Sequence, residues 1–175
     1  MKIIGITGQA RAGKDTIGDY LCEEYEFTRL SFAAPLKRMV AAMLNRDEEW
    51  VNEHKEEHIP GIASPRVLLQ TLGTDWGRHM IDTNIWVNMV HREVNDIITL
   101  MPGQFQGIVL TDCRFNNEAE WIKAAGGDVW HISRPGAPLV TYHVSEQGVD
   151  FRLVDHSIVN DGSLEDLYLK IEEII

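Results

Sequence analysis

The sequence predicts an α/β fold: a parallel sheet covered on both faces by helices. Three observations carry this expectation. Five short apolar runs are bounded by turn residues, helical patterns lie between them, and the runs are near-continuous in hydrophobic character, as in strands buried on both sides. At 175 residues, 44 % of them hydrophobic, the chain has the length and apolar content of one domain with a substantial core.

The first run, KIIGIT at 2–7, leads at once into glycines and then into a helical pattern at Thr16, Ile17, Tyr20 and Leu21, so it reads strand, loop, helix. Further strands are expected at FTRLSF (27–32), GIVLTD (107–112), DVWHIS (128–133) and LVDHSIVN (153–160). The stretch 33–106 between the second and third runs reads as a helical insertion, carried by PLKRMVAAMLN, SPRVLLQTLGTDWGRHM and NIWVNMVHREVNDIITL. In the first two, proline stands near the helix start, where a missing amide hydrogen costs nothing. The intervening RDEEWVNEHKEEHIPGIA is charged, shows no obvious apolar face and is expected to be solvated. NNEAEWIKAAGG fits a helix from Asn116 to Gly126 or Gly127, and GSLEDLYLKIEEII closes the chain as an amphipathic helix capped by Ser163. There is no internal repeat and no low-complexity linker, so 1–175 reads as a single domain.

A net charge of −11 would repel a nucleic-acid backbone or an anionic membrane, which disfavours both as partners. A small anionic substrate stays compatible, because a few arginines and backbone amides in a cleft outweigh the global charge at short range. The two cysteines, Cys22 and Cys113, make neither a disulfide framework nor a zinc site. With no leader pattern and no long apolar run, the expected setting is soluble, unprocessed and cytoplasmic.

Residues 8 to 16 read GQARAGKDT and fit GxxxxGK, the glycine-rich loop that wraps the phosphates of a nucleoside triphosphate. Such a cradle needs closely spaced amides without side chains in the way. Gly8 and Gly13 permit the tight loop, the following helix presents its positive end, and Lys14 supplies a mobile cation. Asp15 stands where a magnesium-touching hydroxyl is usual, with Thr16 next. A carboxylate can bind magnesium directly or through water, and Asp15 could equally act as a base or hold a water.

A second carboxylate, Asp112, ends the apolar run GIVLTD. Ligands of parallel sheets gather at the carboxyl ends of strands, so Asp112 is expected near the cradle, where a magnesium-organising carboxylate belongs. Arg114 follows two residues on, and a guanidinium there could grip phosphate with two parallel hydrogen bonds. Lys37, Arg66 and Arg78, at helix ends of the insertion, would together form a second anionic pocket in an otherwise acidic protein. Arg134, in ISRPGAP, lies where proline and glycine break regular structure and could be carried over the phosphates by a short flap, as a lid-like segment at about 134–152.

GQARAGKDT, SFAAPLK, SPRVLLQTLGTDWGR, TDCRFNNE and IVNDGSLEDL together resemble the deoxynucleoside monophosphate kinases found in tailed bacteriophages and prophages, in the same order through most of the chain. GKDT and SPRVLLQTLGTDWGR are the distinctive phrases. The resemblance implies a three-layer P-loop NTPase fold of the nucleoside monophosphate kinase type, with a five-stranded parallel sheet, a helical insertion that binds the monophosphate and a short lid. It implies that Lys14 and the neighbouring loop residues Gly8, Ala10, Arg11, Ala12, Gly13, Asp15 and Thr16 hold the ATP phosphates. Asp112 would organise magnesium or the acceptor phosphate. Lys37, Arg66, Arg78 and Arg114 would bind the acceptor, Arg134 would come from the lid, and Asn160 to Gly162 would lie beside the donor adenine.

Two tempting patterns are set aside. HKEEH, from His54 to His58, fits an inverted zinc-protease motif, but the segment is charged and runs into Pro60 and Gly61, so a solvated helix is the better reading. Trp76, Trp86, Phe32 and Phe115 could border a base, yet core packing serves them at least as well. The expected activity is transfer of the terminal phosphoryl group of ATP to a deoxynucleoside monophosphate, with Lys14, Asp15, Asp112 and Arg134 at the reacting groups and magnesium held by Asp15 and Asp112. Two alternatives are another small P-loop kinase, such as one acting on dephospho-coenzyme A, and a nucleotide-dependent binding or switch module. The base, the sugar preference and the oligomeric state stay open, and a homodimer is compatible with the sequence.

Overall fold

The computed structural model describes residues 1–136 and 148–175, so the middle of the expected lid, 137–147, lies outside the described residues. The chain divides into a sheet unit, Met1–Ser31 with Arg92–Ile175, and a helical unit, Phe32–His91. Among the described residues, no helix is long and apolar enough to cross a membrane.

In the sheet unit five strands run parallel: β1 (Lys2–Gly8), β2 (Phe27–Leu30), β3 (Gly107–Leu110), β4 (Asp128–Ser133) and β5 (His156–Val159). Their order is β2-β3-β1-β4-β5, so the connections that leave the neighbouring strands β1 and β3 run to opposite sides of the sheet. That switch point, at the carboxyl ends of β1, β3 and β4, is where an open parallel sheet offers a crevice to ligands. Helices α1 (Lys14–Tyr25), α6 (Asn116–Ala124) and α7 (Leu164–Glu172) belong to this unit. Ile4, Ile6, Ile17, Leu21, Val109, Trp130, Ile132, Ile158 and Ile171 close its core, which is why the strands read as unbroken apolar runs.

Local signals set most boundaries. Ser163 accepts from the Asp166 amide, and Asp166 accepts in return from the Ser163 amide, a reciprocal cap of α7. α1 ends at Glu26, held in the left-handed region at φ 56°. The last strand is shorter than its apolar run: residues Phe151–Leu153 form a 3₁₀ turn and pairing begins only at His156. Asp155, just before it, pins the start of β5 by accepting from the Val129 amide at 2.8 Å and from Lys123.

The helical unit contains α2 (Ala34–Leu44), α3 (Glu48–Glu53), α4 (Pro65–Gln70) and the beginning of α5 (Ile85–Leu100). The charged stretch expected to be wholly solvated departs from that reading. Asp47 caps α3, and its turn buries Val51 completely against Val40 and Ala41, with Trp50 and Leu68 packed alongside. A single apolar turn inside an acidic segment is enough to dock it.

The single helix expected through SPRVLLQTLGTDWGRHM is instead two forms of helix. α4 passes into a π-helical segment over Thr71–Ile81, where the amide of Asp82 reaches back to the carbonyl of Gly77 at 3.0 Å. Close packing accompanies the wider turn. Trp86 lies against Gly77, where a side chain would overlap its ring, and its indole N–H donates to the Gly73 carbonyl at 2.8 Å. At 2 % exposure Trp86 is core, as is Phe32 at 3 %.

Candidate active site

The site begins where β1 runs out. Gly8 (φ 140°), Arg11 (φ 63°) and Gly13 (φ 114°) turn the backbone through the left-handed half of conformational space within six residues. At Gly8 a side chain would run into the Ile132 carbonyl, and at Gly13 it would stand 2.8 Å from Asn160 Nδ2. The loop delivers the chain into α1 with Gly13 at the cap. Gly13 supplies no side-chain cap to α1, whose positive end begins at this loop. Lys14 Nζ donates to the carbonyls of Gly8 (2.8 Å) and Gln9 (2.7 Å), which holds its ammonium within the loop.

A cleft of about 350 Å³ opens over this loop, lined by Arg11, Gly13, Lys14, Asp15, Thr16, Arg134, Asn160 and Gly162 together with Ser163, Leu164 and Leu167. It thus brings together the loop, the arginine after β4 and the Asn160 to Gly162 turn after β5, three regions far apart in sequence. Asn160 does more than border the cleft: its Nδ2 donates to the Ala12 carbonyl at 2.9 Å. The Ala12 methyl is fully buried in the core, so this residue contributes to the loop through its backbone. Arg134 is exposed at the mouth.

Asp15 lines this cleft, whereas Asp112 is not among its lining residues and follows the end of β3. Asp15 Oδ1 accepts from Thr111 Oγ1 at 3.1 Å, and Thr111 directly precedes Asp112, whose Oδ2 accepts from Ser31 Oγ at 2.6 Å. Among the described residues, no three His, Cys, Asp or Glu side chains gather as a metal cage. Asp15 and Asp112 each offer the hard oxygen donors that magnesium takes along with water and substrate phosphates.

Beyond Asp112 the chain is shaped by a residue the sequence reading passed over. Glu118, 2 % exposed, accepts from the amides of Arg114 (2.7 Å) and Phe115 (3.1 Å), so α6 clamps the loop that carries Arg114 while the Arg114 side chain stays exposed. An acid at the third position of a helix is a legible signal for such a clamp. Burial drives the neighbouring Cys113 thiol well above its ordinary pKa, with Glu118 and Asp112 adding to the effect, so this cysteine is no nucleophile. Arg29, also passed over, donates to the Asp15 carbonyl and to Asp19. His131, on β4, is held below its ordinary value by burial and then by the Lys14 ammonium.

The remaining expected residues lie in the helical unit. Lys37 is half-buried on α2. Arg66 pairs with Glu56 at 2.5 Å. Arg78 is 7 % exposed and donates from Nη1 to the Thr83 carbonyl at 3.1 Å. Burial this deep is unusual for an arginine and requires partners such as this one.

Comparison with known proteins identifies a family and a fold. A family model described as deoxynucleotide monophosphate kinase matches residues 2–64 and 52–171. The deoxynucleotide monophosphate kinase of Escherichia phage RB69 is 38 % identical over an alignment covering all of both chains. That of Enterobacteria phage T4 is 23 % identical, covering all of this chain and 99 % of its own. Among solved structures, a dephospho-CoA kinase from Campylobacter jejuni aligns over 99 % of this chain and 96 % of its own with a TM-score of 0.50 and 13 % identity, a likeness of fold.

Proposed function

The chain belongs to the deoxynucleotide monophosphate kinase family, and from that premise we infer that it moves the γ-phosphoryl group of ATP onto a deoxynucleoside monophosphate, yielding the diphosphate and ADP. The observation that carries this reading is the shared cleft, in which a glycine-rich loop, Lys14 and Arg134 converge on one volume. Phosphoryl transfer asks little covalent work of a protein and much positioning and charge stabilisation.

Amides of the 8–16 loop cradle the donor phosphates, and Lys14 leaves the Gly8 and Gln9 carbonyls for the phosphate oxygens. Arg134 adds a second cation on the moving group. Magnesium, when bound, would neutralise charge on the β- and γ-phosphates, and Asp112 and Asp15 are the residues that would hold it. Asn160 and Gly162 border the donor nucleotide. Lys37, Arg66, Arg78 and Arg114 are assigned to the acceptor, with Arg66 exchanging Glu56 for phosphate. Several guanidinium groups favour an acceptor that already carries a phosphate.

A coupled ADP-release assay with dAMP, dCMP, dGMP and dTMP as acceptors tests the reading. Acceptor-dependent turnover with at least one of them is expected; ATP consumption that none of them stimulates would overturn it.

A further inference from the structure

Under α1, beside the phosphate loop, a polar cluster surrounds Asp15, and the roles above give its arginine no part. Arg29, on β2, donates from Nη2 to the main-chain oxygen of Asp15 at 2.8 Å and to Asp19 Oδ1 at 2.7 Å. Its Nη1 stands 4.0 Å from Asp15 Oδ1, the same oxygen that accepts from Thr111 at 3.1 Å. One carboxylate at the first turn of α1 is therefore addressed from β2 and from the end of β3 at once. Gly18 makes the room: a Cβ there would come within 2.5 Å of both Arg29 Nη2 and Thr111 Cγ2.

A carboxylate in place of the usual hydroxyl brings negative charge to the rim of a site built for polyanions. Left loose, it would repel the phosphates; with a guanidinium 4.0 Å away and the Thr111 hydroxyl donating at 3.1 Å, this largely exposed carboxylate has its charge partly offset by Arg29 and its orientation set by Thr111. Asp19 holds the guanidinium from the next turn of the helix, so Arg29 is locked at two of its donors.

We propose that Arg29 is a positioning residue for phosphoryl transfer, acting through Asp15: it fixes the Asp15 main chain, shares its carboxylate with Thr111 and offsets its charge toward the donor phosphates. The proposal rests on the kinase reading above. Because Arg29 acts through Asp15, the two losses should not add.

The test is a double-mutant cycle of R29Q, D15N and the double variant, read both as steady-state kinetics and as equilibrium ATP binding without acceptor. R29Q is expected to lower kcat about tenfold while leaving the deoxynucleotide KM within about twofold, and to cost only about threefold in the D15N background, where its bond to the main-chain oxygen of residue 15 persists. ATP binding is expected to show the same loss of effect in that background. Equal losses in both backgrounds, in rate and in ATP binding, would overturn the proposal. Should R29Q fail to fold, R29K, which keeps the charge without the fork, carries the same cycle. If the wild-type protein phosphorylates no deoxynucleotide, the kinase reading falls, and the ATP-binding cycle alone still decides the role of Arg29.

Discussion

The side-chain amide of Asn160 donates a 2.9 Å hydrogen bond to the Ala12 carbonyl, while its own main-chain amide donates to Ser133 at 2.8 Å. One residue thus ties the ends of β4 and β5 to the phosphate loop. Replacing Asn160 with alanine removes that tie but leaves the strands paired. A part-buried hydrogen bond of this kind contributes about 1 kcal/mol, so the KM for ATP should rise about fivefold with the acceptor KM unchanged. Initial-rate kinetics with each substrate varied in turn would show it, and an unaltered ATP KM would remove Asn160 from loop positioning.

Lys14→Ala should cut turnover steeply without unfolding the chain. The two carbonyls that Lys14 occupies, on Gly8 and Gln9, can be solvated, so the thermal midpoint should fall by only a few degrees. The missing cation should lower kcat by roughly 10² to 10³, the range for a preorganised charge-stabilising donor. Retained activity would contradict the role given to Lys14.

The helical unit has its own sensitive point at Trp86. Trp86→Phe keeps most of the apolar volume but leaves the Gly73 carbonyl without its indole donor, and an orphaned buried acceptor costs about 1–3 kcal/mol. Gly77→Ala attacks the same contact from the other side by forcing a methyl into the Trp86 ring, with a similar cost from overpacking. Urea unfolding of both variants measures these losses. Wild-type stability in either one would mean the π-helical segment does not depend on this contact.

What could be read from the sequence follows from how local each cause is. The strands and the Ser163 cap were legible because apolar runs, turn residues and a serine three places before Asp166 act over a few residues. The phosphate loop was legible because Gly8, Gly13 and Lys14 need no distant partner to declare their chemistry. The π-helical turn over Thr71–Ile81 was not, because an ordinary helix fits the same spacing and the contact that accompanies the wider turn comes from the Trp86 ring five residues beyond. Val51 was hidden by its acidic neighbours. Arg29 was hidden for a different reason: on its strand it looks like any outward cation, and only the pairing of β2 with β3, together with the gap at Gly18, brings it to Asp15. Arg78 was picked out as a cation, but its burial depends on tertiary packing that no spacing announces.

His131 should make both stability and its own titration depend on the phosphate loop. Its pKa is lowered from 6.5, first by burial and then by the Lys14 ammonium, so the folded chain favours the neutral ring. Between the folded value and the ordinary one, the unfolded chain binds a proton that the fold refuses. Stability from this group is therefore complete above about pH 6.5 and is lost as pH falls toward the folded pKa. Urea unfolding at a series of pH values should show a gentler loss on acidification for His131→Gln than for the wild type. The cause can be separated by proton NMR of the ring: Lys14→Ala removes one of the two depressing influences, so the His131 pKa should rise in that variant yet stay below its ordinary value, because burial persists. A pKa that Lys14→Ala leaves unmoved would place this imidazole beyond the reach of the loop's charge, and an identical acid slope for His131→Gln would remove it from the stability of the fold.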